Sequence, residues 1–511
     1  MLELRSYLND HWIAGDGEGA SLHDPASGAV LATASTAGLD IGRALDHARS
    51  VGGPALRGMT FAERGELLIK LSKAIHGHRD ELLELSRANT GTTLKDGKFD
   101  VDGGTATMAA YGKLGEQLGD RRYLLDGDQE TIGRSPRFTG QHVKVPRRGV
   151  GVHINAFNFP VWGFAEKLAC AFLAGMPVLT KPGTSTAMPA HRVGEIIVDS
   201  GLLPEGAWSL LCGSAGDLLD HLDSQDVVAF TGSAATGEKI RGHRNVIKRG
   251  VRVNVEADSL NAAVVGPDVD TDSDTWDLFL REVSREIAQK SGQKCTATRR
   301  VFIPEGLLAD AIDGLKDRLA DYPAGDPSDP SVRMGTLAAP AQMADVCEGL
   351  GRLAAVCDVA HGEIPAADGP ALVEPLLFVC KDPANTPIVH ELEVFGPAAT
   401  LMPYGGDPTE VAGLVNLADG GLVATVYSDD LAFSGTVLME IAPYHGRVLL
   451  GSRRIAEHST GPGMVLPNLV HGGPGRAGGG MELGGVRGLD LYTQTCAVQG
   501  SRPMLDKLLG K

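Results

Sequence analysis

Apolar residues in this chain recur with two different periods, and the switch between them marks its organisation. Between residues 60 and 88 they return every three or four positions. Leu68, Leu71 and Ile75 share one face there, and Thr60 with Glu63 has the spacing of a capping box. That pattern predicts a surface helix lying on a core. From 150 to 256, short apolar runs alternate with helical patterns. Strands are predicted at 150–155, 177–180, 208–211, 227–230 and 252–256, with helices at 161–174, 187–200, 215–222 and 235–244 between them. Pro160 near its start and Gly175 at its end bound the first of these helices. Such alternation predicts an α/β fold, a parallel sheet covered by helices that binds ligands at the carboxyl ends of its strands. Residues 122–147 read as a strand-rich insertion, and a further helix is predicted at 275–290. Residues 472–488 hold nine glycines and are expected to form neither regular helix nor strand.

Composition narrows the possibilities. A chain of 511 residues implies several domains. Its net charge of −17 argues against a general nucleic-acid binder, and an anionic ligand such as a coenzyme A thioester would need a local basic patch. The N-terminal stretch lacks a basic region followed by an apolar run, and no apolar run nears the roughly 18 residues of a membrane span. A cytoplasmic location is therefore expected. The 7 cysteines form no CxxC pair, which suits a reducing compartment and leaves room for one reactive thiol. His76 and His78 face different directions on a helix, and no metal is expected.

Three residues could carry chemistry. Cys295 lies in Ser291-Gly292-Gln293-Lys294-Cys295-Thr296, just past a helix. It reads either as a small buried hydrophobe or as a nucleophile made reactive by nearby positive charge. Glu256 closes the strand from Val251 and could be a solvated loop acid or a base at the sheet's ligand edge. Asn158 stands between a strand and a helix, where an amide can cap the helix or donate to an oxyanion. Gly232, Ser233 and Gly237 follow one strand and open a helix, a place that suits a pyrophosphate. Gly473-Pro474-Gly475-Arg476-Ala477-Gly478 spells the dinucleotide fingerprint, but it is read as a decoy that follows no strand and starts no helix.

Together these residues resemble the aldehyde dehydrogenase superfamily over nearly the whole chain. Asn158-Phe159-Pro160 is similar to its asparagine motif, with Phe157 in the usual tryptophan position. Lys181-Pro182 is similar to the cofactor lysine motif, and Phe230-Thr231-Gly232-Ser233 with Gly237 to the pyrophosphate turn. Glu256 and Cys295 fall where the family has its general base and nucleophile, and Glu393-Val394-Phe395-Gly396-Pro397 resembles the segment that holds the nicotinamide ribose. The resemblance implies a Rossmann-like cofactor domain (1–125 and 148–257), an α/β catalytic domain (258–486) and a small β oligomerisation element (126–147 and 487–511). It also implies a homo-oligomer built from dimers. In the implied mechanism Cys295 adds to the aldehyde, Asn158 holds the oxyanion and Glu256 directs water at the thioester. Lys181, Ser233, Glu393 and Phe395 face the cofactor, and Lys167 tunes Glu256 by its charge.

A narrower likeness rests on Ile154-Asn155-Ala156-Phe157-Asn158, Glu256-Ala257-Asp258-Ser259-Leu260-Asn261, the stretch from Ser291 to Cys295 and the stretch from His471 to Gly480. These are similar to the dehydrogenases that act on CoA-linked semialdehydes in bacterial phenylacetate and aerobic benzoate degradation. The implied substrate is 3-oxo-5,6-dehydrosuberyl-CoA semialdehyde, favoured by Val498-Gln499-Gly500-Ser501, with 3,4-dehydroadipyl-CoA semialdehyde as the alternative. His471 is a candidate lining of the substrate tunnel. The sequence ends at Lys511 without a hydratase domain, so the expectation is either a separate enoyl-CoA hydratase-like hydrolase that supplies the aldehyde or a sequence that is truncated. Thr184 stands three residues after Lys181, where NAD-preferring relatives carry a glutamate, so NADP is expected ahead of NAD. Two rivals remain: an acylating dehydrogenase, which would not need Glu256, and a catalytically silent protein on the same fold.

Overall fold

The computed structural model describes residues 2–510. The predicted helix at 60–88 forms as two, α1 (Phe61–Gly77) and the helix Arg79–Thr90, because His78 leaves helical geometry at φ −107° and ψ 22°. Thr60 and Glu63 do form the capping box, satisfying two N–H groups that the first helical turn leaves free. A long helix, α2 (Leu94–Leu118), packs across α1.

The alternation that follows builds a parallel sheet. In chain order it runs β1 (Gly151–Ile154), α3 (Trp162–Ala174), β2 (Val178–Lys181), α4 (Ala187–Asp199), β3 (Trp208–Leu210), β4 (Val227–Thr231), α5 (Ala234–Arg241) and β5 (Arg252–Glu256). The helix expected near 215–222 is only a short 3₁₀ turn, Leu218–His221. In space the strands run β5-β4-β1-β2-β3, all parallel, and Ser6–Leu8 with His11–Ile13 add an antiparallel edge. The chain goes outward from β1 through β2 and β3, then returns to the other side of β1 for β4. The strand order therefore reverses between β1 and β4, and a crevice opens there at the carboxyl ends. Asn158 follows β1, Gly232 and Ser233 follow β4, and Glu256 ends β5.

A second sheet of seven strands has Ala262–Val265 and Arg300–Pro304 near its centre, flanked by Gly421–Tyr427 and Ala398–Tyr404. Between its first two central strands runs α6 (Asp274–Ala288), whose apolar face packs under the sheet through Leu278, Phe279, Val283 and Ile287. A third, three-stranded antiparallel sheet joins Leu124–Thr131 and Phe138–Pro146 to the C-terminal Thr493–Ser501. No helix among the described residues is long and apolar enough to cross a membrane.

The glycine-rich stretch corrects the expectation. Two short antiparallel strands form there, β6 (Val470–Gly473) and β7 (Gly480–Leu483), with a 3₁₀ turn at Gly475–Ala477 between them. The fingerprint string thus does follow a strand, although it opens only that single turn. The glycines serve close packing of main chains. A Cβ on Gly472 would lie 2.2 Å from the Gly480 carbonyl oxygen, and one on Gly478 would lie 2.3 Å from the Val255 carbonyl oxygen. Without side chains at Gly478 and Gly480, the turn and the start of β7 can lie against the end of β5.

Candidate active site

The loop that carries Cys295 is built by an unusual turn. After α6 ends, Lys290, Ser291 and Gly292 take left-handed conformations in succession, with φ of 54°, 54° and 68°. Left-handed backbone is unfavourable by about 1–2 kcal/mol for a residue with a Cβ. Hydrogen bonds hold it in place. The Lys290 N–H donates to Asp96, and the Ser291 hydroxyl donates to the Gly335 and Thr336 carbonyls at 2.8 and 3.1 Å. Glycine is required at 292, since a Cβ would lie 2.1 Å from the Gly396 carbonyl oxygen. Arg299 ties the loop to the Glu393 segment by donating to the Gly292 and Gly396 carbonyls, both at 2.6 Å. Asn261 completes the support, donating to the Cys295 carbonyl at 2.8 Å and the Ala297 carbonyl at 2.9 Å.

Cys295 opens into a pocket whose lining includes Asn158, Phe159, Trp162, Glu256 and His471. The sulfur of Cys295, the carboxylate of Glu256 and the imidazole of His471 lie within 4.8 Å of one another. His471 Nε2 is 3.3 Å from Glu256 Oε1 and 3.9 Å from Cys295 Sγ. Asn158 is buried and donates to the Gln293 carbonyl at 3.1 Å, which leaves its second amide hydrogen for a ligand. It does not cap α3. That role belongs to Asp100 of α2, which accepts from the Val161 and Trp162 N–H groups at 3.3 and 2.7 Å.

Below Glu256 lies a buried charge cluster. Lys167 Nζ is 3.0 Å from Glu482 Oε2 and 3.3 Å from Glu166 Oε1. Burial opposes the charge on Lys167, but the carboxylates of Glu482, Glu166 and Glu256 outweigh it and hold the ammonium above its ordinary range. Burial also pushes Glu256 towards neutrality, yet the neighbouring His471, Lys167 and Cys295 thiol together hold it below the ordinary carboxylate range. Burial first, and the Glu256 charge second, push the Cys295 thiol well upward. Glu256 therefore rests as a carboxylate beside a protonated thiol. Glu482 and Glu166 escaped the reading of the sequence. Glu482 sits in the glycine-rich stretch that was expected to be irregular, and only the β7 pairing aims it inward.

The candidate cofactor residues line the crevice at the strand ends. Lys181 ends β2, and its Nζ donates to the Pro182 carbonyl at 3.0 Å and the Thr184 hydroxyl at 3.1 Å. Ser233 caps α5, accepting from the Thr236 N–H at 3.3 Å, while a Cβ on Gly237 would meet Val255 at 2.8 Å. One carboxylate also stands at this helix end, because Asp258 Oδ1 accepts from the Ala234 N–H at 3.0 Å. Glu393 accepts from the Ser259 N–H at 3.1 Å, and its buried Oε1 has no hydrogen-bond partner. Burial raises its carboxyl to about 7, opposed by Arg299. Phe395 packs edge-on to Phe157, ring centroids 5.9 Å apart. A nicotinamide dinucleotide suits this set. The Glu393 oxygen that lacks a hydrogen-bond partner could accept from a ribose hydroxyl, and the N-terminal end of α5 suits a pyrophosphate.

Two groups of metal-ligating side chains lie close together among the described residues, Glu256 with Cys295 and His471, and the more exposed Asp10 with His47 and Glu205. The first coincides with the cavity described above.

The sequence profile of the aldehyde dehydrogenase family matches residues 12–498. The chain is 43% identical over 483 residues to 3,4-dehydroadipyl-CoA semialdehyde dehydrogenase from Aromatoleum evansii, covering 93% of each chain. The fold is similar to that of lactaldehyde dehydrogenase from Escherichia coli, with TM-score 0.85, 22% identity and coverage of 98% and 99%. It is similar also to the NAD+ complex of an aldehyde dehydrogenase from Bacillus cereus, with TM-score 0.83, 23% identity and coverage of 98% and 97%. At those identities the structural likeness speaks for the fold alone.

Proposed function

The chain belongs to the aldehyde dehydrogenase family, and from that membership we propose that it oxidises a CoA-linked semialdehyde to the carboxylic acid through a thioester on Cys295. The observation that carries the site assignment is the meeting of Cys295, Glu256 and Asn158 in one cavity at the switch point of the parallel sheet. The substrate assignment is supported by the 43% identity over nearly the full length of a dehydrogenase named for 3,4-dehydroadipyl-CoA semialdehyde. That favours the C6 substrate over 3-oxo-5,6-dehydrosuberyl-CoA semialdehyde. A hydratase-like hydrolase is the proposed source of the semialdehyde.

In this reading the Cys295 sulfur adds to the aldehyde carbon, and the free hydrogen of the Asn158 amide steadies the oxyanion. Removing one such donor typically raises the barrier by roughly 3–4 kcal/mol. When bound, the nicotinamide cofactor accepts the hydride. Glu256, held ionised by its neighbours, orients the water that releases the acid. Lys181 and Glu393 would hold the two riboses, Ser233 and the α5 N-terminus the pyrophosphate, and Phe395 the nicotinamide side. Thr184 brings no charge beside Lys181, so the adenosine end accepts a 2′-phosphate without repulsion from that position, and NADP is preferred. The β element joining 124–146 to the C-terminal strand is the proposed contact between chains of a homo-oligomer built from dimers. A silent scaffold is disfavoured by the intact cavity, and an acylating enzyme by Glu256.

Steady-state reduction of NADP and of NAD, with the CoA semialdehyde and with an aliphatic aldehyde of matched length, tests the proposal. NADP and the CoA substrate should be preferred, and Cys295→Ala should lose at least about a thousandfold in kcat. Equal rates on both aldehydes would remove the CoA assignment, and an active Cys295→Ala would remove the nucleophile.

A further inference from the structure

Among the described residues the second sheet ends in the strand Asp358–His361, which pairs with Leu376–Val379 alone. The pairing is antiparallel and sets Asp358 opposite Val379. One step further along the same register, Cys357 stands opposite Cys380. Residues opposite each other across such a pair put their side chains on one face, and both cysteines are buried in the same apolar cluster as Leu350 and Phe378. The Cys380 N–H donates to the Leu401 carbonyl at 2.9 Å, on the side away from Cys357. The two cysteines therefore form a non-hydrogen-bonded pair, whose Cα atoms come within about 4.5 Å, and a disulfide spans about 4.4–6.8 Å. Beside them, Lys381 Nζ and Asp358 Oδ2 meet at 2.6 Å. Neither cysteine is part of the Cys295 pocket. We propose that Cys357 and Cys380 are a dithiol that hydrogen peroxide closes to a disulfide, stapling the edge strand to its neighbour.

The two thiols are unequal. The hydrogen bond with the Cys357 thiol is the largest cause holding Cys380 below the ordinary thiol range. Burial opposes it, and the Thr386 hydroxyl and the Asp382 N–H add to it. The same hydrogen bond, and then burial, push the Cys357 thiol upward. The thiolate is the nucleophile, so Cys380 reacts first. An edge strand is held on one side only, and its local opening admits a molecule as small as hydrogen peroxide. The Cys380 sulfur bonds one peroxide oxygen and the O–O bond breaks. The departing hydroxide becomes water with the proton that Cys380 released, and Cys380 is left as a sulfenic acid. The Cys357 sulfur then attacks the Cys380 sulfur. The S–S bond forms, the S–O bond breaks, and the hydroxide leaves as a second water with the Cys357 proton. The pair has given up two electrons and two protons, and the peroxide has been reduced to water.

The experiment treats the full-length protein with hydrogen peroxide, blocks the remaining thiols with N-ethylmaleimide in denaturant, and maps unreduced peptides by mass spectrometry. A peptide pair joined through Cys357 and Cys380 should appear, and dithiothreitol should return it to two free thiols. Its yield should exceed the oxidised fraction of Cys170 and of Cys212, whose thiols burial pushes up to about 12, by about tenfold. Cys357→Ser should leave Cys380 as a sulfenic acid that dimedone labels, and Cys380→Ser should leave Cys357 reduced. Two results would overturn the proposal. One is recovery of both residues as free thiols from the unsubstituted protein under peroxide that oxidises the exposed Cys496. The other is a main product that joins either residue to a different cysteine. Both are read on the unsubstituted chain, so a serine variant that fails to fold protects nothing. Neither depends on turnover, so the outcome is separate from that of the dehydrogenase reading.

Discussion

Glu393 has an acidity that its sequence position alone would not give it. It is mostly buried, with one oxygen bonded to the Ser259 N–H and the other lacking a hydrogen-bond partner. Burial lifts its carboxyl to about 7. The folded state then holds a proton that the unfolded chain has released between about pH 4.5 and 7, so this group makes stability fall as pH rises through that window, by roughly 3 kcal/mol at most. Glu393→Gln should abolish that slope, read as the difference in unfolding free energy between variant and parent across the window. The ionised form is the one that accepts ribose hydroxyls. Cofactor KM should therefore improve as pH passes about 7 in the parent chain and stay flat in Glu393→Gln. A parallel profile in both would show that Glu393 does not hold the ribose. At this scale the residue types were legible, because Cys, Glu and Asn each fall next to a recognisable strand or helix end. Their protonation was not, since it depends on His471 and Lys167, which come from distant parts of the chain.

The ends of elements decide how the cofactor would be received. The α5 N-terminus is capped from within by Ser233 and from outside by Asp258, whose carboxylate occupies part of the space that an anion would use. An aspartate at a helix N-terminus is favourable by about 0.3–1 kcal/mol, but a phosphate beside it meets repulsion. Asp258→Asn keeps an oxygen that accepts from Ala234 and removes the charge. Its expected effect is a cofactor KM lower by about three- to tenfold, with thermal stability changed by less than about 1 kcal/mol. An unchanged or raised KM would mean that the pyrophosphate does not come to this helix end. The parallel strands and their helices were readable because each buries a continuous apolar run or face. The hairpin β6–β7 was not, since its strands are only four residues each, are flanked by glycines, and take their place by packing on β5 and by the buried contacts of His471, Glu482 and Leu483.

Across the whole molecule, the site depends on joining distant segments. The thiol, carboxylate and imidazole that meet in the cavity come from 295, 256 and 471, and Lys167 is paired with Glu482. The three-stranded sheet likewise unites 124–146 with the C-terminal strand and carries exposed apolar residues, among them Phe138 at 43% and, on the following helix, Leu508 at 66%. Unpaired strand edges and exposed apolar surface call for a partner. Sedimentation should give an even multiple of the 53.5 kDa chain, and Phe138→Asp with Leu508→Asp together should shift it towards monomer. A parent chain sedimenting as monomer would remove this sheet as an assembly surface. The sequence by itself determined the alternating elements, the turn at Gly232-Ser233 and the three side chains of the resemblance, because periodicity and local end signals follow from short-range sterics and burial. Only the tertiary structure decided that Asp100 rather than Asn158 caps α3, that Lys167 is held by Glu166 and Glu482, and that His471 reaches Cys295. Those contacts arise when separate segments are packed together, and their ion pairs acquire weight only in the dry interior which that packing creates.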